Sequence, residues 1–505
     1  MFFLHTRTLR TSLKMYNYRH SSAWPSQAYI NGSWCNAKSG KTFNVINPAT
    51  GEIIATVPDL NATDVQIAIN AANIAFQSWK TTTAKERSDL LRNWYNILVK
   101  NKDYLAEIVT AEAGKPLQES LGEVSYGNSF VEWFSEEARR NYGEYVPSPI
   151  KSKEILMIRQ PLGPVGLITP WNFPIAMITR KASAALAAGC TCVIKPAENT
   201  PIMALVLAKF TQEAGIPNGV FNVVTASREN TPQIGQLLCE SPGIYGISFT
   251  GSTEVGKLLY KQCSSTVKRI GLELGGNAPF IVFDNADLDK AVAGAMASKF
   301  RNCGQTCVSA NRFLIQKQVY SKFIDKLMEA MKKLVMGNGK DCGINLGPLI
   351  NISQVEKVDR IVNDAKNKGA KILVGGKQAM NYGERFYEPT LITDVKDNMA
   401  CYTEEIFGPV AVCIGFESEE EGLKIANNTN RGLAGYFYSN DLSQVWRVSK
   451  ALEVGMVGVN EGIISSTEAA FGGVKESGLG REGSSHGLED YTEIKYICFG
   501  NIQQN

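Results

Sequence analysis

The chain has 505 residues, 44% hydrophobic and 20% charged, with a formal charge of +3. That length exceeds what one hydrophobic core supports, so two or more domains are expected, and no apolar run is long enough to span a bilayer. The charge is asymmetric: residues 1–51 carry six basic side chains (Arg7, Arg10, Lys14, Arg19, Lys38, Lys41) and no acid, leaving 46 basic against 49 acidic residues in the body. A slightly acidic body excludes the electrostatic footprint of a nucleic-acid binder.

In the first 22 residues Phe2, Leu9, Leu13 and Tyr16 recur at helical spacing beside Arg7, Arg10 and Lys14. An acid-free, Arg-bearing amphipathic start reads as a mitochondrial transit peptide, a disordered basic tail being the alternative. Eleven cysteines without regular spacing argue against a disulfide framework and for a reducing compartment such as the mitochondrial matrix. No Cys-x-x-Cys or His-x-x-x-His spacing occurs, so no metal site is expected. Beyond the first 22 residues His486 is the sole histidine.

Tyr29 to Trp34 reads as a strand entry with Asn31-Gly32 as a hairpin turn. Thr63-Asp64 reads as the cap of a helix running to Trp79, and further helical patterns cover roughly Ala84 to Lys100 and Tyr104 to Ala113, an outer helical layer. From Ile155 the period changes. Apolar strands at 166–169, 191–194, 220–224 and 247–250 alternate with helices at 175–188, 201–214 and 231–240, which predicts an open, twisted parallel sheet covered on both faces. Ligands of such sheets bind at the carboxyl ends of the strands. A second αβ series follows from Pro279 to about Val459, then a Gly-rich close and a tail with strand alternation at 493–498.

The polar stretch Phe300 to Cys307 falls at the junction between an alanine-rich helix and an apolar strand, where a reactive thiol is usefully held; small buried cysteines are the alternative. If the stretch stays helical, Cys303 and Cys307 lie about 6 Å apart, within disulfide range. Pro170-Trp171-Asn172-Phe173-Pro174 fixes an amide able to donate to an oxyanion, or serves as a plain turn. Glu273, in Leu272-Glu273-Leu274-Gly275-Gly276, has the apolar surroundings that raise a carboxyl pKa toward that of a general base, or makes a structural hydrogen bond. Gly251-Ser252-Thr253-Glu254-Val255-Gly256 suits an anionic ligand at a helix N-terminus or a tight turn. Lys195-Pro196-Ala197-Glu198 suits paired ribose hydroxyls, with Glu198 disfavouring a 2′-phosphate, or is a surface ion pair.

Taken together and in this order, P-W-N-F-P, K-P-A-E, F-T-G-S-T-x-x-G, L-E-L-G-G, F-x-N-x-G-Q-x-C and E-E-I-F-G-P resemble the aldehyde dehydrogenase superfamily. The resemblance covers nearly all of the chain after the first 22 residues. It implies an NAD-dependent oxidation through a cysteine thioester, with Cys307 as nucleophile, Glu273 as base and Asn172 as oxyanion donor. It assigns NAD to Lys195, Glu198 and Ser252 on the adenosine and pyrophosphate side and to Glu405 and Phe407 at the nicotinamide ribose. Thr169, Trp171, Gly251 and Gly256 complete that expected set. K-F-R-N-x-G-Q-T-C-V and I-T-R-K-x-x-A-A-L-A-A-G-C-T resemble the succinate-semialdehyde branch, in which Arg180, Arg301 and Ser465 grip a distal carboxylate; another semialdehyde or an aliphatic aldehyde is the alternative. Some relatives carry a second cysteine two residues past the nucleophile, where this chain has Ser309.

The implied architecture is α/β: a transit segment at 1–22, an NAD-binding domain at 23–144 and 161–273, a catalytic domain at 274–480 and a small β oligomerisation element at 145–160 and 481–505. A homotetramer is implied with it.

Overall fold

Asn31 and Gly32 both have positive φ, 52° and 76°, and join the paired strands Ala28–Ile30 and Ser33–Cys35 as the hairpin expected there. The computed structural model in which this is seen describes residues 24–502; the expected transit segment lies outside the described residues.

Four buried parallel strands follow the expected pattern, Val165–Ile168, Cys192–Lys195, Phe221–Val223 and Gly246–Thr250, and a fifth that was not predicted, Arg269–Glu273, runs parallel beside the last of them. Helices Ala176–Ala188, Pro201–Glu213, Thr231–Glu240 and Thr253–Cys263 connect or flank them, and this alternation forces the parallel arrangement. Antiparallel edges complete an eight-stranded sheet, with Ala28–Ile30 beside Phe221–Val223 and Gly478–Leu479 beside Arg269–Glu273. Register pairs Ile168 with Lys195 and Thr250 with Glu273, so the strand ends bearing the expected cofactor residues lie along one rim.

The outer layer holds Ala62–Trp79, Ala84–Lys100, Lys102–Ala113 and Leu117–Glu137. The first is capped by Asn61, not by Thr63-Asp64: the Asn61 side chain accepts from Thr63 N and Asp64 N, and Asp64 returns a bond to the Asn61 amide, a capping box. The fourth, at 21 residues the longest helix here, was not predicted.

A seven-stranded sheet forms the second half, with six parallel strands running in the order Thr390–Thr393, Val410–Phe416, Ala310–Gln316, Ala278–Val282, Ala434–Tyr438 and Met456–Val459 and with Lys371–Val374 antiparallel at one edge. Helix Leu288–Phe300 packs on it and ends where the reactive stretch begins. There the helical alternative fails. Asn302, Cys303 and Gly304 have φ of 51°, 55° and 74°, a left-handed corner that turns the chain before Cys307. Cys303 is 2% exposed and belongs to the core beneath the sheet, so helical spacing between the two thiols does not apply.

Thr492–Phe499, Glu154–Pro161 and Glu144–Val146 make a separate three-stranded antiparallel sheet. All eleven cysteines are free thiols. Among the described residues no helix is long and apolar enough to cross a membrane, and no cluster of three His, Cys, Asp or Glu side chains is arranged to hold a metal.

Candidate active site

Cys307 is half-buried where two cavities meet. One, of about 190 Å³, is lined by Trp171, Asn172, Glu273, Glu405 and Phe407 among others. The other, of about 20 Å³, is lined by Arg180, Arg301, Ser465, Tyr126, Phe173 and Phe471 among others. The thiol thus stands between a site with the expected cofactor residues and a site with the expected substrate residues.

The backbone holding Cys307 is fixed by amide side chains. Gln305 donates from Nε2 to Asn302 O (3.1 Å) and Pro348 O (3.3 Å) and accepts at Oε1 from Ile350 N (2.9 Å). Asn302 donates from Nδ2 to the carbonyls of Gln305 and Asn172, each at 3.0 Å. Behind Cys307, a Cβ on Gly276 would lie 2.5 Å from the Cys307 carbonyl oxygen, so only glycine permits this approach.

Asn172 is 4% exposed. One of its two amide N–H groups goes to Gln305 O at 3.1 Å, which leaves the second to donate. Glu273, 3% exposed, has neither carboxylate oxygen hydrogen-bonded. Burial pushes its pKa well above the ordinary carboxylate range; the negative Glu482 adds to this, while Arg180 and Lys181 oppose it. The structural hydrogen bond left open as an alternative for Glu273 is absent. Burial also pushes the Cys307 thiol up to about 12, with Arg180 pulling it down and Glu405 and Glu273 raising it. This arrangement can pass a proton from thiol or water to a carboxylate of unusual basicity.

The 190 Å³ cavity runs into a cleft of about 540 Å³ through shared residues Pro170, Trp171, Thr250, Gly251, Ser252 and Gln354. Thr169, Lys195 and Glu198 line the cleft. The Lys195 ammonium, 97% shielded from solvent, is 3.9 Å from Glu198, and burial lowers its pKa while Glu198 opposes the shift. Ser252 caps helix Thr253–Cys263, accepting from Val255 N at 3.3 Å. At the inner end Glu405 accepts from Gly276 N at 2.9 Å, and Phe407, with a φ of 57°, sets its ring edge-on to Trp171 at 5.5 Å. An elongated cleft with a buried ammonium beside a carboxylate, a helix N-terminus midway and aromatic rings within fits a dinucleotide. Gly256 is not among the lining residues: a Cβ there would meet Leu274 at 2.4 Å, so that glycine serves packing between helix and sheet.

At the other end, Arg180 is 1% exposed, stacked over Phe471 at 4.3 Å and ion-paired with Glu482. Glu482 also pairs with Lys181, and the two cations outweigh its burial and keep it ionised. Arg301 stacks over Phe173 at 5.6 Å and takes part in no ion pair among the described residues that engages it within 4 Å. Glu482, Lys181 and Tyr126 escaped the sequence reading. Glu482 sits inside a Gly-rich run, and Tyr126 on the helix that was not predicted.

The pattern defining the Aldehyde dehydrogenase family matches residues 34–497. The chain belongs to the aldehyde dehydrogenase family. As a member it is an oxidoreductase of α/β fold. It is 54% identical over 484 residues to the mitochondrial succinate-semialdehyde dehydrogenase of Rattus norvegicus, covering 96% of this chain and 92% of that one. To the succinate-semialdehyde dehydrogenase [NADP(+)] of Escherichia coli (strain K12) it is 52% identical over 480 residues, covering 95% and 99%. The crystal structure of succinate-semialdehyde dehydrogenase from Burkholderia pseudomallei superposes with a TM-score of 0.93 at 51% identity, covering 95% and 99%. This aldehyde dehydrogenase therefore matches those relatives over almost their whole length.

Proposed function

We propose that the chain oxidises succinate semialdehyde to succinate with NAD. The observation that carries this reading is the convergence of Arg180, Arg301 and Ser465 with Cys307 on one small cavity. Because Glu482 already neutralises Arg180, Arg301 supplies the uncompensated charge that a distal carboxylate requires. An apolar aldehyde would leave the Arg301 guanidinium without an anionic partner.

In the mechanism, Glu273 takes the Cys307 proton, and the thiolate sulfur bonds to the aldehyde carbon as the carbonyl electron pair moves onto oxygen. The free N–H of Asn172 and the Cys307 backbone N–H hold that oxyanion. When bound, the nicotinamide supplies the hydride acceptor that turns the thiohemiacetal into a thioester; Lys195, Glu198, Glu405 and Phe407 would hold the dinucleotide. Glu273, once it has released the thiol proton to solvent, removes a proton from water, whose oxygen attacks the thioester carbon and expels the Cys307 sulfur, which takes that second proton. The carboxylate product leaves and the thiol is restored.

Preference for NAD over NADP rests on Glu198, whose charge beside Lys195 repels a 2′-phosphate. A mitochondrial matrix location is supported by the acid-free, Arg-bearing first 22 residues and by the mitochondrial rat relative; import and cleavage of a reporter carrying those residues is its check. Assembly into a homotetramer is supported by the exposed apolar side chains of the three-stranded sheet.

The test is an aldehyde panel with NAD and NADP, wild type beside Arg301→Ala. The variant is expected to lose about ten- to a hundredfold in kcat/KM on succinate semialdehyde, the range for a charged hydrogen bond, and little on hexanal. Equal losses on both substrates would mean that Arg301 supports the fold.

A further inference from the structure

A second buried ion pair lies behind the segment bearing Asn172, and the chemistry described so far does not use it. Lys115 follows Gly114, the left-handed cap of helix Lys102–Ala113, and Glu123 stands in the second turn of Leu117–Glu137. Their side chains pair, each 1% exposed. The Lys115 ammonium also donates to the Asn172 carbonyl oxygen at 2.8 Å and lies 4.0 Å from the centre of the Phe173 ring. The second oxygen of Glu123 accepts from Ile175 N at 3.0 Å. One ion pair thus fixes the carbonyl of residue 172, the ring of 173 and the amide of 175, while Asn302 holds the same carbonyl from the Cys307 side.

Stability does not explain such a pair. Burying two charges costs desolvation that their attraction roughly repays, and apolar replacements of similar volume are often neutral or better. What the pair provides is direction: three contacts, spaced along four residues, fix the backbone that carries the Asn172 amide, which lines the same cavity as Cys307. Angular error there is costly, since an oxyanion donor acts only within hydrogen-bond distance of the developing charge.

We propose that Lys115 and Glu123 are positioning residues that set the Asn172 side chain for oxyanion binding, an inference resting on the reading of Asn172 as the donor. In this role the pair acts through the backbone of residues 172–175; it also lines a cavity of about 200 Å³ that shares Arg301 and Ser465 with the substrate-side one, and KM is the readout that separates the two roles.

The experiment is a double-mutant cycle between Lys115→Met/Glu123→Gln, which removes both charges together, and Asn172→Ala. The pair variant is expected to lose about a hundredfold in kcat, with KM for succinate semialdehyde within about threefold of wild type because ground-state binding is untouched. In the Asn172→Ala background the pair variant is expected to cost less than about twofold more. Penalties that multiply, or a folded pair variant with full kcat beside a slow Asn172→Ala, overturn the positioning role alone. Full activity of Asn172→Ala by itself marks failure of the oxyanion reading and takes the positioning role with it. If the pair variant does not fold, Glu123→Asp, which keeps the charge and shortens the reach, is measured in the same cycle with the same expectations of sign.

Discussion

Glu273 shows how much of the chemistry resides in solvation. Its carboxylate has no hydrogen-bond donor and almost no water, and burial raises its pKa well above the ordinary range. A base works only when ionised, so kcat is expected to climb as pH rises from mildly acid toward that raised pKa. Glu273→Gln should flatten the climb, lower kcat by about a hundredfold or more and slow the first burst of reduced cofactor as well, because the same carboxylate takes the Cys307 proton before the thioester forms and activates water after it. Steady-state and stopped-flow absorbance at 340 nm measure both; a steep pH profile retained in the variant would assign the titration elsewhere. The sign for stability is opposite. The folded state holds a proton that the unfolded chain releases at ordinary carboxylate pH, so the contribution is full below the unfolded pKa and is lost as pH rises through the folded one. Thermal melts across that range should fall for wild type and fall less for Glu273→Gln.

Among the elements, those with a clear period were legible and those shaped by contact were not. Strands Val165–Ile168, Cys192–Lys195, Phe221–Val223 and Gly246–Thr250 and helix Ala84–Lys100 stand where their apolar spacing placed them, whereas Arg269–Glu273 and Gly478–Leu479 were not read. Helix Leu117–Glu137 went unread because Gly122, Gly127, Ser125, Asn128 and Ser129 give it the composition of a loop; tertiary contact supplies the reason, since a Cβ on Gly127 would sit 3.3 Å from the Ala176 backbone. The left-handed corner at 302–304 carries no local signal beyond Gly304, and its conformation is held by the adjacent Gln305 and by Glu119 and Asn172 from elsewhere in the chain. The motif residues of the site were visible as types at strand ends, while Lys115, Glu123, Lys181 and Glu482 were not, because a single charged residue in a helix or a Gly-rich run looks like surface until its partner is known. The same dependence on contact predicts Gly276→Ala. Its new methyl would meet the Cys307 carbonyl, whereas its backbone conformation is open to alanine. The variant should keep its far-ultraviolet circular dichroism and lose at least about tenfold in kcat, the scale of a small misplacement of reacting atoms; unchanged turnover would show that the Cys307 loop yields freely.

Among the described residues, the three-stranded sheet carries apolar side chains that its own chain does not cover. Along Thr492–Phe499 the alternating Ile494 and Tyr496 are 61% and 60% exposed on one face, while Tyr145, 61% exposed, lies in register with Ile497 and faces the other side. Apolar side chains in a row on one sheet suit burial against another copy. Ile494→Lys with Tyr496→Glu is expected to reduce the solution mass measured by light scattering, from that of a tetramer toward smaller species. A wild-type chain that is already monomeric at micromolar concentration would refute the assembly.

The eight-stranded sheet also has a history in time. One edge strand is made at residues 33–35 and the other at 478–479, which pairs with Leu272 and Glu273 only after about 200 further residues have been synthesised. During translation the nucleotide-side half therefore waits with an open strand edge, beside the very carboxylate that will serve as base. Its completion depends on the other half having been made. A ribosome-bound chain arrested before residue 478 thus has every strand of the seven-stranded sheet and still lacks the one that closes the sheet begun first.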